Sequence, residues 1–148
     1  MPFRDWVVTM ARLLLGALLA VAGALKIGHA SDLASSIAGF RLLGPDVVAP
    51  LAVILPFVEL LLGAYLVLGL FTRIAAYVAG GAFVIYGIAI ASAVVRHIPA
   101  NCGCFGPNDS AVADWPHVAF DLILAALALA IARFAPGALA LDRRMNRS

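Results

Sequence analysis

Residues 74–95, IAAYVAGGAFVIYGIAIASAVV, carry no charged side chain, and this run decides the fold. It exceeds the roughly 20 apolar residues that cross a bilayer as a helix. Ala75, Ala76, Ala79, Gly80 and Gly81 lie within it, small residues that let neighbouring membrane helices approach closely. Working outward, residues 47–70 are also long enough to span, with Glu59 near the middle and prolines at 50 and 56. A first span is expected over 7–27, interrupted by Arg12 and flanked by Lys26. A last span is expected over 115–134, with Asp121 near its start, Arg133 near its end and Pro136-Gly137 as a stop.

The composition agrees. Of 148 residues, 64% are hydrophobic and only 12% are charged, about half the charged share of a soluble domain. That excludes a disordered tail, a collagen-like fibre and a nucleic-acid-binding module. A net charge of +2 specifies no acidic partner. The expected architecture is an all-α integral membrane four-helix bundle, one membrane domain over 1–148, with outer loops at 28–46 and 96–114. The first segment has a rival reading as a signal peptide, with Gly28-His29-Ala30 as its cleavage site. Lys26 stands where such a site should be small and uncharged, so the segment is read as a retained helix.

Charge asymmetry orients the bundle. The N-terminus, the turn at 71–73 and the C-terminal tail hold Arg4, Arg12, Arg73, Arg133, Arg143, Arg144 and Arg147. The other side holds Lys26, Arg41 and Arg96. Positive loops stay in the cytoplasm, so both termini are expected there, in a bacterial inner membrane, with the two longer loops facing the periplasm. In the first of these, Leu33, Ile37, Phe40, Leu42 and Leu43 alternate with small and polar residues before Gly44-Pro45-Asp46. The pattern predicts a short helix lying on the bilayer or folding over the bundle.

The only two cysteines fall in one tripeptide of the second outer loop, Asn101-Cys102-Gly103-Cys104-Phe105-Gly106. In an oxidising compartment such a pair can form a lasting disulfide. A bridge between residues two apart closes almost no loop, so it gains little stability from restricting the unfolded chain. So small a ring is strained, and strained, exposed disulfides are the labile ones. Gly103 supplies the backbone freedom for the bend. Arg96, His97 and His117 bracket the loop, and a nearby cation favours thiolate. A redox-active pair follows. Buried, inert cysteines would be out of place in a loop of Gly, Pro and Asn. The stronger alternative is a soft-metal site of Cys102 and Cys104 with His97, His29 or His117, although Cys-x-Cys alone falls short of the four ligands of structural zinc.

Four ionisable residues lie within or beside the spans, where such groups face the bundle interior and find partners. Arg12 and Glu59 stand roughly 9 and 16 Å from the inner boundary, a gap a guanidinium could cover. Lys26 is depth-compatible with Asp121 or with Glu59, or it snorkels outward. Either these groups only fix helix register, or they relay protons for quinone reduction, with Glu59 the candidate carboxyl. Tyr86, about 14 Å below the outer end of its helix, could donate a hydrogen bond to a quinone carbonyl.

Together, Arg12-Leu13 with Gly16, Gly23-Ala24-Leu25-Lys26, Leu55-Pro56, Glu59-Leu60 with Gly63, Gly69-Leu70-Phe71-Thr72-Arg73 and Cys102-Gly103-Cys104-Phe105-Gly106 resemble the MauE/DoxX family of redox-associated four-helix membrane proteins. The cysteine motif ahead of the last helix is the most specific element. The resemblance implies a helical bundle working in periplasmic thiol–disulfide chemistry. In the methylamine-utilisation branch it implies maturation of a disulfide-rich periplasmic enzyme subunit, and in the DoxX branch quinone-coupled sulfur oxidation. The fold is similar to what is expected of four-helix disulfide generators of the DsbB and vitamin K epoxide reductase types, but this chain lacks their second cysteine pair. It also has Phe120-Asp121 where an arginine is expected in many family members.

The sequence thus points to a thiol–disulfide oxidoreductase, or an electron-passing component of one. Cys102 and Cys104 are its reacting sulfurs. Glu59, Lys26, Arg12, Asp121, His97, His117 and Tyr86 are supporting or proton-handling candidates. A thioredoxin-like or disulfide-containing periplasmic protein is the expected partner and a quinone the candidate electron acceptor. The alternatives are a soft-metal carrier and a non-catalytic assembly factor for a periplasmic redox protein.

Overall fold

A computed structural model describes residues 2–146. Arg147, counted above with the inner cations, lies outside the described residues. The chain is all-helical: α1 Phe3–Lys26, α2 Ala30–Gly39, α3 Pro45–Leu68, α4 Thr72–Val95, α5 Trp115–Phe134 and α6 Leu141–Met145. Among these, α1, α3, α4 and α5 are long and apolar enough to cross a membrane. Their outward faces carry bare apolar side chains such as Leu14, Ile74, Ile85 and Ile123. In water such a surface would aggregate; against lipid chains it needs no cover. This is a multi-pass membrane protein.

Small residues set how the bundle closes. The helices pack chiefly as two pairs, α1 on α3 and α4 on α5. At the first seam Gly16 and Gly23 of α1 face Gly63 and the Pro56–Leu60 backbone of α3. A Cβ on Gly63 would come within 2.6 Å of Gly16's carbonyl, and one on Gly23 within 2.6 Å of Pro56's. Only hydrogen fits there, so backbone lies on backbone. Ala75, Ala76 and Ala79 of α4 and Ala125, Ala128 and Ala132 of α5 belong to the buried core of the second pair.

The pole that gathers the two ends of the described chain is tied by contacts far apart in sequence. Asp142 accepts hydrogen bonds from the backbone N–H groups of Phe71 and Thr72, both at 2.8 Å. These are donors that the first turn of α4 leaves unpaired, and the helix dipole favours a carboxylate there. Arg143 pairs with the buried Asp5 at 2.7 Å. The Thr9 hydroxyl lies 2.8 Å from the carbonyls of both Asp5 and Ala138, which share its one proton. The N-terminus, the α3–α4 turn and the C-terminal segment, which carry most of the arginines, therefore share one end of the bundle.

At the other end α2 forms where the first outer loop was expected to be helical, and it stops at Gly39, ahead of Leu42 and Leu43. It packs against α3 and turns Leu33 inward, so it folds over the bundle mouth.

Candidate functional site

The segment between α4 and α5 is a folded hairpin. Cys102 N–H donates to the Ala111 carbonyl and Ala113 N–H to the Ala100 carbonyl, each at 2.8 Å, flanking an antiparallel bridge between Asn101 and Val112. Asp109 staples the tip, its carboxylate accepting from the N–H groups of Ala111 at 3.0 Å and Phe105 at 3.3 Å. Gly103 and Gly106 sit at positive φ, +64° and +95°. Both also make close approaches: a Cβ on Gly103 would meet Ser36 of α2 at 3.1 Å, and one on Gly106 the Leu25 carbonyl of α1 at 3.1 Å. The hairpin is thus laid across α2 and the C-terminal end of α1. Cys102 and Cys104 are bonded to each other, half-buried, with Cα atoms 5.3 Å apart.

Beneath the disulfide lies a cavity of about 400 Å³, within the size range of small-molecule sites. Its wall is mostly apolar, drawn from the halves of the four long helices nearest the hairpin and from α2. Lys26, Glu59, Tyr86, His117 and Asp121 interrupt that wall, and Cys102 and Cys104 line the same space. Ile85 and Ile88 line it too, although both are exposed on the outer surface of α4. The cavity therefore reaches the lipid-facing side of the bundle as well as the hairpin.

Buried Lys26 selects Glu59. Its ammonium donates to both carboxylate oxygens, at 3.0 and 2.8 Å, and both residues are buried. Gly23, one turn before Lys26, packs directly on the Glu59 backbone segment, which sets the two side chains at one depth. Tyr86 does not offer its hydroxyl proton to the cavity: it donates to Glu59 Oε1 at 2.9 Å. Two of the three Lys26 N–H bonds are used, leaving one for a ligand.

Several sequence expectations separate here. Arg12 does not approach Glu59; it points to the opposite pole and donates to the Pro136 carbonyl at 3.3 Å. Among the described residues Asp121 takes no ion-pair partner, and its Oδ2 has no hydrogen bond. His97 is exposed and does not line the cavity. Arg96 is committed elsewhere, donating to the Phe40 and Ser92 carbonyls. His117 does reach the cavity, and its ring nitrogen Nδ1 lies 2.5 Å from Asp114 Oδ1. Among the described residues no group of three or more His, Cys, Asp and Glu side chains is disposed to hold a metal ion. The arrangement of Cys102, Cys104 and His97 as joint ligands is not assembled.

Sequence reading missed Asp114. As N-cap of α5 it accepts the His117 backbone N–H at 3.0 Å. An Asp three residues before His117, with proline in the first turn, is the usual helix-start signature. The His117 ring bond, then its backbone N–H, hold the Asp114 carboxyl below its ordinary range. A folded value below the unfolded one adds stability above the unfolded range, and that stability is lost as pH falls through the folded value.

Residues 4–134 match the family described as Methylamine utilisation protein MauE. The chain belongs to the MauE family. It is 36% identical over 125 residues to the Methylamine utilization protein MauE of Paracoccus denitrificans, covering 82% of this chain and 67% of that protein. It is also 36% identical over 131 residues to the protein of the same name from Methylorubrum extorquens, covering 88% and 70%. No solved structure matches the chain. In this MauE-family protein the matched region takes in α1 from its second residue, the other three long helices and the cysteine hairpin.

Proposed function

We propose that this protein is a thiol–disulfide oxidoreductase of the bacterial inner membrane, with Cys102 and Cys104 as its reacting pair. Both termini lie in the cytoplasm and the hairpin faces the periplasm, the orientation favoured by the arginines gathered at the inner pole. The observation that carries the reading is the shared cavity: the only two sulfurs able to form a disulfide line the same apolar space as the Lys26–Glu59–Tyr86 cluster.

A thiolate on a thioredoxin-like or disulfide-containing periplasmic partner attacks one sulfur of the disulfide, and the other leaves as thiolate. The partner's second thiol resolves the mixed disulfide, so the partner is oxidised and Cys102 and Cys104 are left as a dithiol. A quinone from the bilayer takes up the two electrons and two protons, and the disulfide re-forms. An apolar cavity of about 400 Å³ that reaches the lipid side suits a quinone ring, and the remaining Lys26 N–H suits a carbonyl oxygen. The names of the two relatives support a setting in methylamine utilisation, and there the partner would be a protein that acquires disulfides.

Trapping tests the exchange half. In cells making Cys102→Ser or Cys104→Ser, the remaining thiolate attacks the disulfide of the oxidised partner, and the variant that keeps the exchanging sulfur accumulates a mixed disulfide with a periplasmic protein, released by reductant. Absence of any such adduct from both variants overturns the reading.

A further inference from the structure

Three carboxylates line the cavity; Asp109 is bonded into the hairpin, and the structure treats the other two differently. Glu59 has both oxygens bonded, by Lys26 and Tyr86. Asp121 is only 4% exposed, yet its Oδ2 meets no donor. A buried carboxyl oxygen without a partner is costly, and its persistence calls for a ligand or a proton to meet it.

Asp121 also ends a graded series. Asp114, His117 and Asp121 follow one another at spacings of three and four, the interval that stacks side chains on one helix face. The Asp114 side chain is 52% exposed, that of His117 34%, and Asp121 is buried. Asp114 and His117 are 2.5 Å apart, and His117 and Asp121 both line the cavity, about 5–6 Å apart at Cβ for such a pair. Histidine is the side chain suited to pass a proton near neutral pH.

We propose that this face of α5 is a proton path, from water at Asp114 through His117 to Asp121, which hands the proton to the occupant of the cavity. The inference rests on the quinone-linked reading above and divides the labour within it: Glu59 is fixed by its partners and Asp121 exchanges. Oxidation of the dithiol by a quinone moves two electrons from sulfur to the ring, breaks two S–H bonds and forms one S–S bond and two O–H bonds. The thiol protons leave to water at the hairpin, and those gained by the quinone oxygens enter along α5. Lys26 from α1 and His117 on the same helix are the basic groups that interact electrostatically with Asp121. Tyr86 of α4 interacts electrostatically with it. Glu59 of α3 and Asp109 of the hairpin complete the titratable groups around the cavity.

The test uses the full chain in lipid nanodiscs, pre-reduced, mixed with a short-chain ubiquinone analogue, with quinol formation followed from pH 5 to 9. Asp121→Asn should slow it by about 100-fold and flatten its pH profile, the scale of a lost general acid. Asp121→Glu should restore most of the rate. His117→Ala should slow it and added imidazole should restore it. Asp114→Asn keeps a good helix cap while removing the ionisable group, and should slow the rate without unfolding. Circular dichroism and thermal unfolding in the nanodiscs check that each variant is folded. Folded Asp121→Asn and His117→Ala proteins with the wild-type rate and pH profile would overturn the path alone. A wild-type chain that forms no quinol would overturn the reading beneath it, and the path with it.

Discussion

Replacing both Cys102 and Cys104 with serine should reduce electron transfer from protein thiols to the uncatalysed background, the largest loss any substitution here produces. The chain has no other cysteine, and a serine oxygen can neither accept a thiolate's attack nor close a disulfide. The fold should survive. The hairpin is held by its backbone bridge, by Asp109 and by the packing of Gly103 and Gly106, and a ring of this size restricts the unfolded chain very little. Quinol formation and partner oxidation should therefore vanish while thermal unfolding in detergent changes little. A double-serine protein that still supports its partner's oxidation would make the chain a docking factor, with the hairpin as its contact and no electron passing through it.

The second large effect concerns Lys26 and Glu59. Removing either side chain leaves the other buried and charged, and losses of about 3–5 kcal/mol are typical of such broken pairs. Lys26→Met and Glu59→Leu should each lower stability on that scale. The double variant should recover most of it, because two apolar side chains leave no charge uncompensated. Equilibrium unfolding in mixed micelles around this double-mutant cycle checks the energetics. Electron transfer separates the roles: a double variant that regains stability but not quinol formation shows that the pair positions the cavity's occupant. One that regains both shows a pair that serves packing alone.

The helices were legible because lipid imposes one rule along a whole span, and a charge-free run such as 74–95 has no other reading. The outer helix was legible in kind but not in length: Leu42 and Leu43 lie beyond Gly39, where a glycine in the sequence cannot by itself say that the helix ends. The cysteine pair needed no structure. The partners of the buried charges did need it. Lys26 is compatible by depth with Glu59 and Asp121 alike, and the choice falls to Gly23, whose missing side chain brings α1 onto α3 beside Glu59. Depth also allows Arg12 to reach Glu59, and the structure turns it to the Pro136 carbonyl instead, because depth along a helix says nothing about the direction a long side chain takes. The caps made by Asp142 and the pairing of Arg143 with Asp5 join residues 70 to 138 positions apart, and no local pattern announces them.

The central claim is that two sulfurs and an apolar cavity form one electron path. Anaerobic mixing of the pre-reduced wild-type protein with excess short-chain ubiquinone measures this directly, by counting protein thiols against quinol. The account predicts that two thiols disappear for each quinol formed, with a Cys102–Cys104 disulfide recovered on peptide mapping. Thiols that persist while the quinone stays oxidised would contradict it.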